Sequence, residues 1–210
     1  MTLNTEHSKH KIINATFLLS LKYGFDNVSI KQIQEESGLT SGSIYHHFKD
    51  KDEILEYMVK TYLTNSFYSY REDIENFEGT FIEKLEFALK YLISTYGTKT
   101  KVESLYTPIR PQFNHEKYFT LFKSIYHQHP NIKPAFHKLN QKLCCFYYKL
   151  FKEAIESKEI REDIDAKTLA IFFQTILKGY TDMWTLHPKL SIEEIIDADM
   201  KMITEAIKKA

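Results

Sequence analysis

No arginine occurs in the first 60 residues. The whole chain of 210 residues holds two cysteines, one tryptophan, six glycines and five prolines, and it carries no net charge. Each scarcity excludes something. Cys144 and Cys145 are adjacent, and neighbours on a helix point in different directions, so no disulfide framework is available. A reduced, cytoplasmic chain is the reading that follows. Few glycines and prolines beside an apolar fraction of 43% describe a soluble, core-forming protein. No long apolar run and no leader pattern is present, so no membrane segment is expected. Glycine-rich phosphate loops and nucleophile elbows are missing as well. His127-Gln-His129 places two imidazoles at i, i+2, which a helix splays apart, and no third ligand stands at coherent spacing. Neither a metal nor a cofactor is expected, and nothing reads as an enzyme.

What the chain does have is helical punctuation. From Ser29 to Phe48 it reads as two short helices joined by a tight turn, and Lys49-Asp-Lys-Asp-Glu53 opens a third. Ser29 is a good N-cap with Gln32 as its N3 partner. Val28, Ile30 and Ile33 lie to one side. Gly38 supplies the positive φ that ends a helix at low cost, and Leu39 plugs the turn. Thr40 or Ser41 caps the second helix, where Ile44 and Phe48 point inward at i, i+4 spacing. Asp50 caps the third, with Glu53 at its N3. Helices this short are held by their neighbours and not by their own propensity.

Thr40, Ser41, Ser43, Tyr45, His46 and His47 are left facing outward. They are hydroxyls, a phenol and imidazoles, all able to bond phosphates or base edges. Gly42 permits close approach of a phosphate to the helix N-terminus, and Lys51 stands beside the same surface. The expected use is the major groove of DNA. Charge argues the other way: seven lysines against eight acids in residues 1–60 leave −1 before histidine, whereas a nucleic-acid binder usually shows a basic patch. The acids fall mainly in caps and in the third helix, so few ionic phosphate contacts and a modest salt dependence are expected. Protonation of His46 and His47 below about pH 6.5 is expected to strengthen binding.

Residues 8 to 56 resemble the TetR family of one-component repressors. Its signature is Thr-x-x-x-Ile-Ala-x-x-Ala-Gly-Val-Ser-x-Gly-x-x-Tyr-x-His-Phe-x-x-Lys-x-x-Leu. Ser29 stands for the threonine, and Ile33, Gly38, Gly42, Tyr45, His47, Phe48, Lys51 and Ile54 or Leu55 fall in register. Leu39-Thr40 replaces Val-Ser. Gln34 and Ser37 stand where alanine is usual, which predicts looser packing between the two helices. The resemblance makes residues 41–47 the recognition helix, gives phosphate roles to Ser29, Tyr45, His47 and Lys51, and leaves Thr40, Ser41, Ser43 and His46 for base edges.

The remainder reads as helices throughout: 52 to about 75, a break at Phe77-Glu-Gly79, a helix opened by Thr80 with Glu83, a short one over 115–127, a long one from Pro134 to about Ser157, one from Asp165 to His187, and a last one capped by Ser191 with Glu194. The fold class is all-α with nine or ten helices. Residues 1–56 form a helix-turn-helix DNA-binding domain, with the motif at about 29–48, and 57–210 a ligand-binding and dimerisation domain. The helices at about 135–157 and 166–186 read as apolar on more than one face, which calls for a second partner. The resemblance makes that partner a second copy and implies a two-fold dimer on a palindromic operator. It also implies an effector pocket in the aromatic-rich C-terminal domain, with Tyr96, Phe113, Tyr118, Phe122, Tyr147, Phe173, Gln174 and Trp184 as candidates for a small apolar or aromatic effector. Core packing accounts for the same aromatics one by one. The alternative is a helical dimeric small-molecule-binding or protein-interaction module that has lost DNA binding.

Overall fold

The computed structural model describes residues 2–94, 115–186 and 189–209, and its regular elements there are all helical. They are α1 (Thr2–Tyr23), α2 (Ile30–Ser37), α3 (Ser41–His47), α4 (Lys51–Val59), α5 (Asn65–Glu75), α6 (Phe81–Ser94), α7 (His115–Gln128), α8 (Lys133–Glu156), α9 (Ala166–Leu186) and α10 (Ile192–Ile207). A π-helical turn, Lys60–Thr64, joins α4 to α5, so residues 51–75 form the continuous run expected from the sequence. Counted that way, nine helices are present among the described residues.

Local chemistry sets most of the ends. Ser29 and Gln32 form a reciprocal capping box, Asp50 accepts from the Glu53 amide at 2.9 Å, and Thr80 exchanges bonds with Glu83. Asp165 accepts from the Thr168 amide at 2.8 Å, and Ser191 pairs with Glu194 in a second capping box. These side chains satisfy amides that a helix start leaves without partners. Gly38 closes α2 at φ 68°, ψ 19°, a left-handed conformation that a side chain would strain.

The chain divides into two compact units, residues 2–66 with 115–136, and 67–94 with 137–209. In the first, Ile12, Ile13 and Phe17 of α1, Ile33 of α2, Ile44 of α3 and Ile54, Leu55 and Met58 of α4 are fully buried. Helix α1 is covered on more than one side, since α7 packs on it as well as α2 and α4. Phe17 stacks on Tyr62 with ring centres 3.8 Å apart and meets Tyr118 and Phe122 at 6.1 and 6.3 Å. Three polar side chains in that core have partners: Thr16 and Ser20 donate to carbonyls one turn back, and the Tyr62 hydroxyl donates to Asn14 Oδ1 at 2.8 Å.

The second unit is built from α5, α6, most of α8, α9 and α10 around Ile74, Leu85, Tyr147, Phe151 and Phe173. Two fully buried phenols, Tyr70 and Tyr147, bond each other there, and Tyr70 also reaches the Ala88 carbonyl at 3.4 Å. Burial pushes both hydroxyls well above the usual phenol range. They stay neutral, and each removes the cost of the other's lost water.

The two long helices differ on their outer sides. On α9, Leu169, Phe173 and Leu177 face the core, while Ile171, Phe172 and Met183 are exposed. On α8, Phe146, Tyr147, Leu150 and Phe151 face the core, and the exposed side carries Lys138, Cys145, Tyr148, Lys149 and Lys152. A second apolar face is therefore present on α9, whereas the exposed side of α8 mixes lysines and glutamates with Ala135, Cys145 and Tyr148.

Candidate nucleic-acid interface

Helix α3 is seven residues long and depends on what lies beneath it. Ile44 and Phe48 are buried, and Thr40 caps the first turn by accepting from the Ser43 amide at 3.1 Å. Tyr45 is consequently 56% exposed although its neighbour Ile44 is not exposed at all. Gly42, Tyr45 and His46 are exposed and Ser43 and His47 half-buried. A Cβ at Gly42 meets nothing closer than Thr40 Oγ1 at 3.9 Å. The chain itself therefore leaves room for a side chain there, and any need for glycine comes from outside it.

Several candidate residues already have work within the protein. The Ser29 hydroxyl donates to Gln32 Oε1 at 2.9 Å and accepts from the Gln32 amide at 3.2 Å. Ser41 donates to Gln34 Oε1, tying α3 to α2. Lys51 donates to the Asp26 carbonyl at 3.1 Å and lies 4.5 Å from the centre of the Phe25 ring. It fastens the 3₁₀ turn Phe25–Asn27 to the start of α4, and burial lowers its pKa. One of its three N–H groups is used in this way, so the structural role does not exhaust its donors.

The His47 pKa is lowered from 6.5 chiefly by burial, then by His46 and by Lys9 of α1. A folded-state value below the unfolded one makes this group's share of stability complete above pH 6.5, and that share declines as the pH falls below it. Any acid strengthening of DNA binding through His47 would therefore be complete only below 6.5. Histidine NMR titration of the free protein should find the His47 midpoint below 6.5, and added duplex should raise it; a midpoint that duplex leaves unmoved removes His47 from the interface. Lys9 is the cation that sequence reasoning missed. It lies on α1, far along the chain from His47, and no local pattern marks it.

Three of the acids of this region are occupied. Glu53 accepts from the Lys49 amide at 2.6 Å, Asp50 caps α4, and Asp26 Oδ1 lies 3.1 Å from His129 Nε2. His129 also meets Phe25 edge-on at 5.4 Å. That packing is where half of the His127-Gln-His129 pair is spent.

Comparison with known proteins matches this geometry. Residues 12–58 fit the profile of bacterial regulatory proteins of the tetR family. That segment of the chain belongs to the tetR family. An HTH-type transcriptional regulator of Staphylococcus aureus is 24% identical over 152 residues, covering 72% of this chain and 71% of that one. The Tn10 TetC protein of Escherichia coli is 26% identical over 92 residues, covering 43% and 47%. The chain spans about half the length of several of the curated relatives it matches. Among solved structures, a TetR-family regulator from Cytophaga hutchinsonii superimposes with TM-score 0.75 at 16% identity over 99% of this chain and 98% of that one. Reduced NemR of E. coli gives 0.76 at 12% identity over 97% and 98%. The Staphylococcus aureus relative and the Cytophaga hutchinsonii neighbour are transcriptional regulators.

Against the TetR signature, the two departures are bonded into the turn. Gln34 holds Ser41, and Ser37 donates to the Gln34 carbonyl and accepts from the Leu39 amide, each at 3.4 Å. One hydrogen bond, Ser41 to Gln34, joins α3 to α2, and Ser37 bonds within α2 and its turn.

The candidate effector residues separate into groups. Tyr118 and Phe122 are buried against Phe17 in the first unit. Tyr147 and Phe173 are buried in the second with ring centres 4.8 Å apart, and Gln174 Nε2 donates to the Asn140 carbonyl at 3.2 Å. Tyr96 and Phe113 lie outside the described residues, as does the side chain of Trp184. A groove of about 290 Å³ lies between α9 and α10, lined by Ile176, Gly179, Met183, Leu190 and Ile195; none of the candidate residues lines it.

Proposed function

We propose that the chain is a ligand-responsive repressor that binds a palindromic operator as a two-fold dimer. Residues 1–56 act as the DNA-binding head and 57–210 as the effector-binding and dimerisation body. The supporting observation is the contrast within α3, where Ile44 and Phe48 are buried while Tyr45 and His46 beside them are exposed. Polar groups set outward on a helix whose inner side is anchored are what major-groove entry requires. Tyr45 and His47 bind phosphate, with Lys51 and Ser29 beside them, and Ser43, His46 and Thr40 face base edges. Ser41 contributes chiefly by holding α3 to α2. The exposed apolar face of α9 supports pairing with a second copy, and a small apolar or aromatic effector in the body controls the head. No helix among the described residues is long and apolar enough to cross a membrane, which fits a cytoplasmic regulator.

The test is a gel shift on the promoter region beside the chain's own gene, with and without excess unlabelled DNA. A specific shift is expected. Tyr45→Ala should weaken it by about 1–3 kcal/mol without changing the melting temperature, because the ring is exposed. An unchanged affinity takes Tyr45 out of the interface, and no specific shift on that region counts against the reading.

A further inference from the structure

His129, just past the end of α7, has a side chain only 15% exposed, and its Nε2 is buried without a hydrogen-bond partner among the described residues. Asp26 Oδ1 stands 3.1 Å from that nitrogen, near enough to bond but off the bonding direction. A buried polar atom left in this state costs free energy and calls for a reason. Its surroundings supply one. The His129 ring meets Phe25 edge-on with centres 5.4 Å apart, and the Phe25 ring carries the Lys51 ammonium at 4.5 Å. Lys51 in turn donates to the Asp26 carbonyl at 3.1 Å. His129, Phe25, Lys51 and Asp26 thus close a ring of contacts that joins the end of α7, the 3₁₀ turn and the start of α4.

Because Lys51 already bonds the backbone of Asp26, that residue's carboxylate is one side-chain rotation from the ammonium. Its charge reaches Lys51 even as it stands. A full ion pair there would spend the lysine's charge inside the protein, in competition with any phosphate. We propose that His129 is a positioning residue: it holds the Asp26 carboxylate on the α7 side and so keeps Lys51 available to a DNA phosphate. Packing against the buried Phe25 fixes the imidazole and places Nε2 beside Asp26. Asp26 is half exposed, and a small turn of its carboxylate lets the Nε2–H donate to it, which satisfies the orphaned nitrogen. The inference rests on the reading of Lys51 as a phosphate contact. It adds what preserves that contact in a stretch, residues 1–60, whose acids outnumber its lysines.

The test is fluorescence anisotropy of the full chain on the same promoter-region duplex over a salt series. It compares the wild type, Asp26→Asn, and His129→Phe and His129→Leu, each alone and with Asp26→Asn. Phenylalanine keeps an aromatic edge for Phe25 and leucine an apolar filling, and both remove the nitrogen, so a melting curve shows which variants remain folded. Each His129 variant alone should lose affinity on the order of tenfold, and its slope of log affinity on log salt should flatten by up to about 0.9 for each Lys51 in the complex. Adding Asp26→Asn should restore both, since no carboxylate is left to claim the lysine, whereas the same change in the wild type should gain little. That non-additivity is the signature of the contact. A loss that Asp26→Asn leaves in place, an equal gain from Asp26→Asn in both backgrounds, or His129 variants that bind like the wild type each overturn the inference and leave the DNA-binding reading standing. A wild type without specific binding overturns both.

Discussion

Phe17→Ala is expected to cost about 3–5 kcal/mol of stability, the range for emptying an aromatic from a tight core. The ring is fully buried. It stacks on Tyr62 of the π-helical turn and touches Tyr118 and Phe122 of α7, so its loss loosens α1 from two neighbours together. Phe17→Leu keeps most of the volume and should cost roughly 1.5 kcal/mol or less. Urea unfolding followed by far-UV circular dichroism measures both. An alanine variant no less stable than the leucine variant means that α1 does not carry the first unit's core. Since α1 also packs on α2 and α3, the alanine variant should lose DNA binding without any change to the outward face of α3.

Ile44→Ala is the second large effect, at about 2–5 kcal/mol. Seven residues do not sustain a helix in water, and Ile44 with Phe48 is what holds α3 down. Destabilisation and loss of DNA affinity should therefore appear together. Tyr45→Ala, one residue away, is expected to separate them by lowering affinity at constant melting temperature. Differential scanning fluorimetry paired with fluorescence anisotropy on the same preparations distinguishes the two. Ile44→Ala that melts with the wild type contradicts the inward assignment of that side chain.

The helix pair was legible in the sequence because its rules are local. Ser29, Gly38, Thr40 and Asp50 each act on amides or carbonyls within a few residues, and i, i+4 spacing was enough to send Ile44 and Phe48 inward. The less legible parts depend on residues distant in the chain. Lys51 is fastened to the backbone of Asp26, 25 residues earlier, and Lys9 weighs on His47 from another helix. Gln34 and Ser37 were expected to loosen the helix pair because volume was the only property a sequence comparison supplied. Their hydrogen bonds become visible only once Ser41 and Leu39 are placed. Helix α8 misled in another way. Its buried apolar residues lie on one side, and the other carries lysines and glutamates together with the exposed Tyr148. Tyr118 and Phe122 look like Tyr147 and Phe173 in composition, yet they belong to different cores.

The paired phenols at 70 and 147 constrain how this core can drift over generations. A lineage that loses one hydroxyl strands the other in a dry interior, where an orphaned O–H costs more than the bond was worth. Tyr147 is the more exposed to that penalty, because Tyr70 keeps the Ala88 carbonyl within reach. Descendants should therefore retain both oxygens or shed both in close succession, with phenylalanine at both positions as the easier escape.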